Sequence, residues 1–236
     1  RIPLALTFSP CPCSANLYQL PLNQKPLEDD RLIKSKSDQH RPDVDNRDIT
    51  LIILCGGTAS RMLGVNKPLW PVTHGGTRQS MIDHVIGATA DVRSVLISAN
   101  QNLTQYMQRG AVITDAHQKL AGAGPLAGIL AGLRYATTPW LLICPGDTPY
   151  LRSGWHQALR KRGHDSPEID AVVVHDGERL QPLHLLLRTN LEPHLAEHIA
   201  RGHRSAWGWL KSLNTAEVAF SEPEQFRSVN RFADLD

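Results

Sequence analysis

Two glycines and two basic residues within one short segment have the types and spacing needed to bind a chain of phosphates. Gly56 and Gly57 follow an apolar run, and Arg61 and Lys67 come next. Glycines let backbone N–H groups approach an anion closely, and the two cations supply charge for several phosphates. The segment lacks the Gly-Lys-Ser/Thr of a P-loop and the G-x-G-x-x-G of a dinucleotide fold. It therefore predicts a different kind of triphosphate loop.

Further polar side chains are predicted at the ends of other strands. Asp115 ends one apolar run, Asp147 lies just past another, and Ser98 and Asn100 end a third. The carboxyl ends of parallel strands meet at one edge of a sheet, where such sheets bind ligands. Ser98 or Asn100 alone is more typical of a turn or a helix cap. Asp147 lies between two prolines that would fix its direction, and a single carboxylate suits Mg²⁺, which keeps several waters and phosphate oxygens.

The elements that must position these groups follow from the hydrophobic pattern. Apolar, β-branched runs predict strands over residues 49–54, 92–98, 111–115, 140–144, 170–174, 184–187 and 217–220. Helices are predicted over about 80–90, 125–136, 191–200 and 206–213. Such alternation implies a mostly parallel sheet covered on both faces. The predicted fold is one doubly wound, Rossmann-like α/β domain with a mixed C-terminal part.

The composition of the chain limits the classes of partner that it is expected to bind. The net charge of +2 over 236 residues is too small to favour nucleic acid or an anionic membrane. No apolar run approaches the roughly eighteen residues that a membrane span needs. Two of the four cysteines, Cys55 and Cys144, each follow an apolar run, which predicts reduced and partly buried thiols. We expect a cytoplasmic protein.

Residues 1–47 differ from the rest of the chain. They combine several prolines with scattered charges of both signs and show no sustained apolar period. This composition predicts a disordered or non-native extension, followed by one folded domain over residues 48–236.

From residue 48 onward the chain resembles the pyrophosphorylase-like nucleotidyltransferases, and within them the molybdenum cofactor guanylyltransferases. The motifs that carry the resemblance occur in the family's order, namely Leu54-x-Gly56-Gly57 with Arg61-Met62 and Lys67, Gly124-Pro125-Leu126-Ala127-Gly128, Cys144-Pro145-Gly146-Asp147-Thr148-Pro149-Tyr150, Gln181-Pro182, and Val229-Asn230 followed by Asp234-Leu235. The resemblance implies transfer of GMP from GTP to molybdopterin cofactor, with release of pyrophosphate. It also implies transient contact with molybdoenzyme apoproteins.

Individual roles follow from the same resemblance. Lys67 and Arg61 would contact the triphosphate and Asp147 would bind Mg²⁺. Leu54, Cys55 and Gly56 would contact the nucleotide through their backbone, with Ser98, Asn100 and Asp115 on the nucleoside side. Acceptor-side contacts are expected from Gln181, Arg179 and Asn230. The segment from Gly124 to Gly128 fits a turn against guanine or pterin, or a plain loop-to-helix junction.

One departure from the pattern and the unplaced nucleotide base keep alternatives open. Asn66 stands where the family has aspartate, which raises the alternative of a catalytically weak nucleotide-binding protein. A related cytidylyltransferase or sugar-phosphate nucleotidyltransferase is the alternative within enzymes, since one sequence does not place the base. His194-Leu195-Ala196-Glu197-His198 matches the H-x-x-E-H zinc pattern, but we interpret it as a chance match on a helix.

Overall fold

The computed structural model describes residues 48–56, 61–62, 65–114 and 124–230, with backbone alone for residues 61, 62 and 65. The predicted extension over residues 1–47 lies outside the described residues. Nothing in the structure therefore tests the predicted domain boundary.

The apolar run at the start of the domain forms the central strand, β1 (Ile49–Leu54). Ile49, Leu51, Ile52 and Ile53 have no exposed surface, so both faces of this strand are buried. That burial explains why the run is continuously apolar instead of alternating.

Seven strands make the main sheet of the described chain. Besides β1 they are β6 (Ser94–Ser98), β7 (Ala111–Ile113), β8 (Trp140–Pro145), β9 (Ala171–His175), β10 (Leu180–Arg188) and β11 (Thr215–Ala219). Their order across the sheet is β11-β9-β10-β8-β1-β6-β7. The strands β6, β7 and β8 run parallel to β1, and β11 runs parallel to β9. Strand β10 is antiparallel to both of its neighbours. The predicted doubly wound α/β sheet with a mixed C-terminal part is confirmed.

Two small antiparallel pairs precede the first helix. They join β2 (Arg61–Met62) to β3 (Val65–Asn66) and β4 (Pro71–His74) to β5 (Thr77–Ser80). A 3₁₀ turn over Lys67–Leu69 lies between these pairs.

The helices cover both faces of the sheet. They are α1 (Met81–Ala88), α2 (Leu103–Met107), α3 (Pro125–Tyr135), α4 (His156–His164), α5 (Glu192–Ala200) and α6 (Ala206–Leu210), with further 3₁₀ turns over Thr189–Leu191 and Pro223–Phe226. One core joins β1 to side chains of α1, α2 and α4, and the other joins it to α3, α5 and α6. In the described ranges, no helix combines the length and apolar character needed to cross a bilayer.

Some predicted boundaries are wrong. The last helix was expected to reach Leu213 but ends at Leu210, and a strand expected to begin at Glu217 begins at Thr215. Strand β10 extends back to Leu180, across a register shift between Gln181 and Leu185. The sequence did not predict the hairpin β4–β5 or the helices α2 and α4.

Candidate active site

The side chains of Lys67 and Asp147 meet at the carboxyl end of β1. The Lys67 ammonium forms an ion pair with the carboxylate of Asp147 and donates a hydrogen bond to Asn230 Oδ1 at 2.9 Å. The Lys67 side chain is only 7% exposed, while that of Asp147 is 20% exposed. A shielded cation therefore lies beside a carboxylate that solvent still reaches.

Local backbone contacts bring these two side chains together. Gly146 N donates to Leu54 O at 3.0 Å, which ties the loop after β8 to the end of β1. A Cβ on Gly146 would lie 2.7 Å from Cys55 Sγ and 3.1 Å from Pro68 Cβ. Contacts that short are steric clashes, so glycine is required where the two loops pass each other. Lys67 begins the 3₁₀ turn, with Pro68 following as a preferred first-turn residue.

The C-terminal segment closes over the same loop. Val229 N donates to Asp147 O at 2.9 Å, and the Val229 side chain is fully buried against Val72 and Met81. This anchor delivers Asn230 to the lysine. Asn230, predicted for the acceptor side, thus lies directly against the predicted phosphate-binding group.

The ends of β1 and β6 place a second set of predicted residues beside each other. Cys55 N donates to Ser98 O at 2.8 Å. A Cβ on Gly56 would lie 3.8 Å from Asn100 Nδ2, so this side chain borders the exposed Gly56 backbone. Burial raises the pKa of the Cys55 thiol, which excludes a thiolate nucleophile. Cys55 can therefore contribute its backbone, as expected.

Gly128 lets helix α3 approach these strand ends closely. A Cβ there would lie 2.6 Å from Leu54 Cδ2 and 2.8 Å from Ser98 Oγ. Gly128, the last residue of the motif that begins at Gly124, is therefore required for the close packing of α3 against the strand ends. Gly124 has a positive φ of 59°, which favours glycine directly before the helix.

His184 is a buried residue behind the loop after β8 that the sequence reasoning missed. It is 2% exposed, and its ring centroid lies 5.8 Å from that of Trp155 and 5.2 Å from that of Phe226. Burial lowers its pKa to about 3, so the imidazole is neutral. Its Nε2 is 3.4 Å from Thr148 Oγ1, which donates to Pro145 O at 3.0 Å. A neutral aromatic cluster therefore supports this loop.

A second turn, between β9 and β10, organises the other predicted acceptor-side residues. Asp176 accepts hydrogen bonds from the backbone N–H groups of Glu178 at 2.9 Å and Arg179 at 2.8 Å, and from the side chain of Gln181. Burial opposes the charged carboxylate, but these hydrogen bonds outweigh it and hold the pKa of Asp176 below its ordinary value. Gln181 is therefore engaged within the turn, whereas Arg179 is exposed. An aspartate before glycine is a turn signal, but it does not reveal which residues the turn positions.

Three predicted site residues lie wholly or partly outside the residues that the structure describes. Gly57 and Asp115 lie outside the described residues. The backbone of Arg61 pairs with that of Asn66, directly before Lys67, and its side chain also falls outside the description. Asn66 is 5% exposed, and its Oδ1 accepts no hydrogen bond from any residue that the structure describes.

The histidines of the H-x-x-E-H stretch are engaged elsewhere. His194 Nδ1 accepts a hydrogen bond from Trp209 Nε1 at 2.9 Å, and Glu197 pairs with Arg201 at 2.6 Å. His198 stacks near His203, with ring centroids 4.7 Å apart. These contacts join helix α5 to helix α6 and to the turn after α5.

The donor set suits a metal that is held mainly by its substrate. Across the described ranges, no three His, Cys, Asp or Glu side chains are grouped to hold a metal. Mg²⁺ is commonly bound by one or two carboxylates together with waters and substrate phosphates. Asp147, the partly exposed carboxylate at the sheet edge, fits that pattern.

Comparisons with known proteins agree with this geometry. Residues 51–218 match the MobA-like NTP transferase domain. The chain is 36% identical over 198 residues to a molybdenum cofactor guanylyltransferase of Vibrio cholerae, covering 81% of this chain and 92% of that protein. It is also 36% identical over 194 residues to one of Cupriavidus necator, covering 80% and 94%. The solved molybdopterin-guanine dinucleotide biosynthesis protein A of Archaeoglobus fulgidus shares the fold, with a TM-score of 0.62, 21% identity and coverage of 79% and 94%.

Proposed function

The chain belongs to the MobA-like NTP transferase family and is a nucleotidyltransferase, and on that premise we propose that it transfers GMP from GTP to molybdopterin cofactor. The names of the Vibrio and Cupriavidus relatives support this choice of substrates. The observation that carries the proposal is the pairing of Lys67 with Asp147 at the sheet edge where α/β folds bind ligands.

The reaction is a displacement at phosphorus. A phosphate oxygen of the acceptor forms a bond to the α-phosphorus of GTP, and the bond from that phosphorus to the bridging β-oxygen breaks. Pyrophosphate leaves with the electron pair. Such transfers need in-line positioning and neutralisation of charge more than covalent chemistry. Lys67 supplies the positive charge, and the Gly56 backbone lies close enough to the strand edge to contact the nucleotide.

The ion pair gives Lys67 a second role before the nucleotide binds. Asp147 neutralises the shielded ammonium, so the buried cation is compensated before a triphosphate binds. Arriving phosphates compete for the same lysine. We infer that Lys67 then moves its contact from Asp147 to the phosphates and leaves the carboxylate to the cation that accompanies them.

Enzymes of this kind generally use a divalent metal, and Mg²⁺ is the one we propose. When bound, it would supply charge neutralisation for the leaving pyrophosphate. Asp147 would hold it in place, and the support under the loop from Thr148 and His184 would keep the carboxylate pointed at the cleft.

On the acceptor side we propose Arg179, Gln181 and Asn230. Arg179 is exposed and can face an anionic acceptor, whereas Gln181 bonds to Asp176 within the turn that carries it. Asn230 contacts Lys67 and would thus act where acceptor and triphosphate meet. We place this reaction in the cytoplasm, with delivery of the product by transient contact with apoenzymes.

Asn66 motivates a second candidate, a protein that binds the nucleotide but transfers it slowly. Its Oδ1 accepts no hydrogen bond from Lys67, and the charged pair with Asp147 forms without an aspartate at position 66. We therefore expect Asn66→Asp to change the transfer rate far less than Asp147→Asn does. A large gain in pyrophosphate release from Asn66→Asp would favour the weak-enzyme alternative.

The test is a pyrophosphate assay with purified molybdopterin cofactor and each of GTP, CTP and ATP. We expect release with GTP only, and only when both the acceptor and Mg²⁺ are present. Preference for CTP would move the protein to the cytidylyltransferases. GTP binding without pyrophosphate release would identify it as a nucleotide-binding protein.

A further inference from the structure

A cavity of about 510 Å³ opens at the C-terminal half of the sheet, away from the ends of β1 and β6. Pockets of about 300 to 1,000 Å³ are the size that small-molecule ligands occupy. The cavity is lined by His175, Arg179, Leu180, Pro182, Trp207 and Glu217. Only Arg179 among these was expected at the site.

The topology puts this cavity on the same edge of the sheet as Asp147. Strand β9 ends at His175 and runs in the direction of β8, because β10 is antiparallel to both. Only β10 separates β9 from β8. Adjacent strands are about 4.8 Å apart, so the cavity mouth lies roughly 10 Å along the edge from the end of β8. A substrate with a ring at one end and a phosphate at the other can span that interval.

Trp207 gives the cavity an aromatic wall. It is 41% exposed, whereas Trp209 on the same short helix is fully buried. Trp209 thus anchors helix α6 in the core, and Trp207 is held out toward the cavity. The Lys211 ammonium lies 5.5 Å from the centroid of the Trp207 ring. An exposed tryptophan on an anchored helix offers a ring face for stacking at little entropic cost.

The polar side chains that line the cavity suit a nitrogen heterocycle that carries an anionic group. Glu217 is exposed on the edge strand β11 and can accept hydrogen bonds from ring N–H groups. Arg179 presents a guanidinium, which pairs with phosphate or stacks on a ring. A hydrogen-bond acceptor, Glu217, and a hydrogen-bond donor, Arg179, thus flank the aromatic wall.

We propose that this cavity binds the planar nitrogen heterocycle of the acceptor, with Trp207 stacked on the ring. Glu217 accepts from the ring N–H groups, and Arg179 faces the anionic end. This inference rests on the proposed function, because it takes the acceptor to be a pterin that carries a phosphate. The guanine base belongs at the ends of β1 and β6, on the other side of β8.

The binding test uses pterin-6-carboxylate, a stable pterin, and measures binding by equilibrium dialysis, a readout that does not depend on the fluorescence of Trp207. Loss of one stacked ring typically weakens binding by about tenfold or more, so we expect that loss in Trp207→Ala and a smaller one in Trp207→Phe. Tyr135→Ala is the matched control, because Tyr135 is an exposed aromatic residue that ends α3 before β8 begins, at the opposite edge of the sheet. It should bind the pterin as the unaltered protein does.

A kinetic test separates this inference from the function it rests on. Trp207→Ala should raise the KM for the molybdopterin acceptor by about tenfold while leaving the KM for GTP unchanged. An unchanged acceptor KM in both Trp207 variants would overturn the assignment, as would displacement of the bound pterin by GTP alone. Pterin binding that depends on Trp207, in a protein that releases no pyrophosphate, would retain the cavity and refute the guanylyltransferase.

Discussion

The Lys67 ammonium and the Asp147 carboxylate form an ion pair, although the two residues come from separate connections on either side of β1. Lys67 follows the loop after β1, and Asp147 follows β8, the strand next to it. The contact depends on Gly146, whose missing side chain lets Pro68 and Cys55 pack against the loop. The same two charges therefore contribute to the stability of the fold and, in the proposed function, to catalysis.

A double-mutant cycle on this pair should show strong coupling in the free energy of unfolding. Lys67→Met leaves a carboxylate without its cation, and Asp147→Asn leaves a shielded ammonium that keeps its contact with Asn230 but has lost its anion. The losses of unfolding free energy in the two single mutants should sum to more than the loss in the double mutant, with a coupling energy of about 1–3 kcal/mol. Urea unfolding of the four proteins measures it, and additive losses would show that the pair contributes nothing to stability.

Gly128→Ala should destabilise the protein and disturb the nucleotide side of the site. The added methyl would meet Leu54 Cδ2 at 2.6 Å and Ser98 Oγ at 2.8 Å. Overpacking of this kind costs about 1–3 kcal/mol. A rise in the KM for GTP should accompany that loss.

The control for this change is Gly87→Ala, also within a helix. A Cβ on Gly87 has nothing within 4 Å, and alanine in a helix is about 0.5–1 kcal/mol more favourable than glycine. It should therefore stabilise the protein. Equal effects of the two substitutions in urea unfolding would show that α3 does not pack against the strand ends as closely as described.

His184 should make the protein sensitive to mild acid. Its pKa is about 3 in the folded state, below the ordinary value near 6.5, because burial excludes the charged form. Between these two values the unfolded chain binds a proton at this position and the folded protein does not. Folding stability is therefore unaffected above about pH 6.5 and falls as the pH drops toward 3, by about 1.4 kcal/mol per pH unit.

The variant His184→Leu should remove that part of the acid sensitivity while keeping an apolar side chain among the aromatic rings. Between pH 7 and pH 5 the unaltered protein should lose about 2 kcal/mol more unfolding free energy than the variant. Asp176 does not interfere, since its pKa is lowered from an already acidic value and its contribution is lost only below that window. Parallel losses in both proteins would show that His184 is not buried in its neutral form.

The sequence predicted best those elements whose side chains are buried on every side. β1 is a continuous apolar run and β8 is nearly so, and their positions follow from that pattern alone. The helix α4 was missed because it is strongly basic, with only Leu159 and a few other buried positions marking its inner face. The hairpin β4–β5 was missed although Gly75-Gly76 signals its turn, since the flanking strands are short and mostly polar.

At the candidate site, sequence motifs marked residues that the structure brings together, but they did not predict how those residues contact one another. Lys67 and Asp147 were expected in one cleft, and the structure confirms that they meet. Their mutual neutralisation was not predictable, because it depends on how two loops cross at Gly146. Trp207 and Glu217 have no motif to mark them. They share a wall only because β11 lies beside β9 and Trp209 anchors the preceding helix.

The most direct test of the central claim is the Mg²⁺ dependence of pyrophosphate release from GTP and molybdopterin cofactor, compared between the unaltered protein and Asp147→Asn. The isosteric amide keeps the shape of the side chain and removes the charge that we propose holds the cation. We predict that release falls by about a hundredfold or more and no longer rises with Mg²⁺ at any concentration that saturates the unaltered protein. Retention of the full rate with an unchanged Mg²⁺ response would contradict the account.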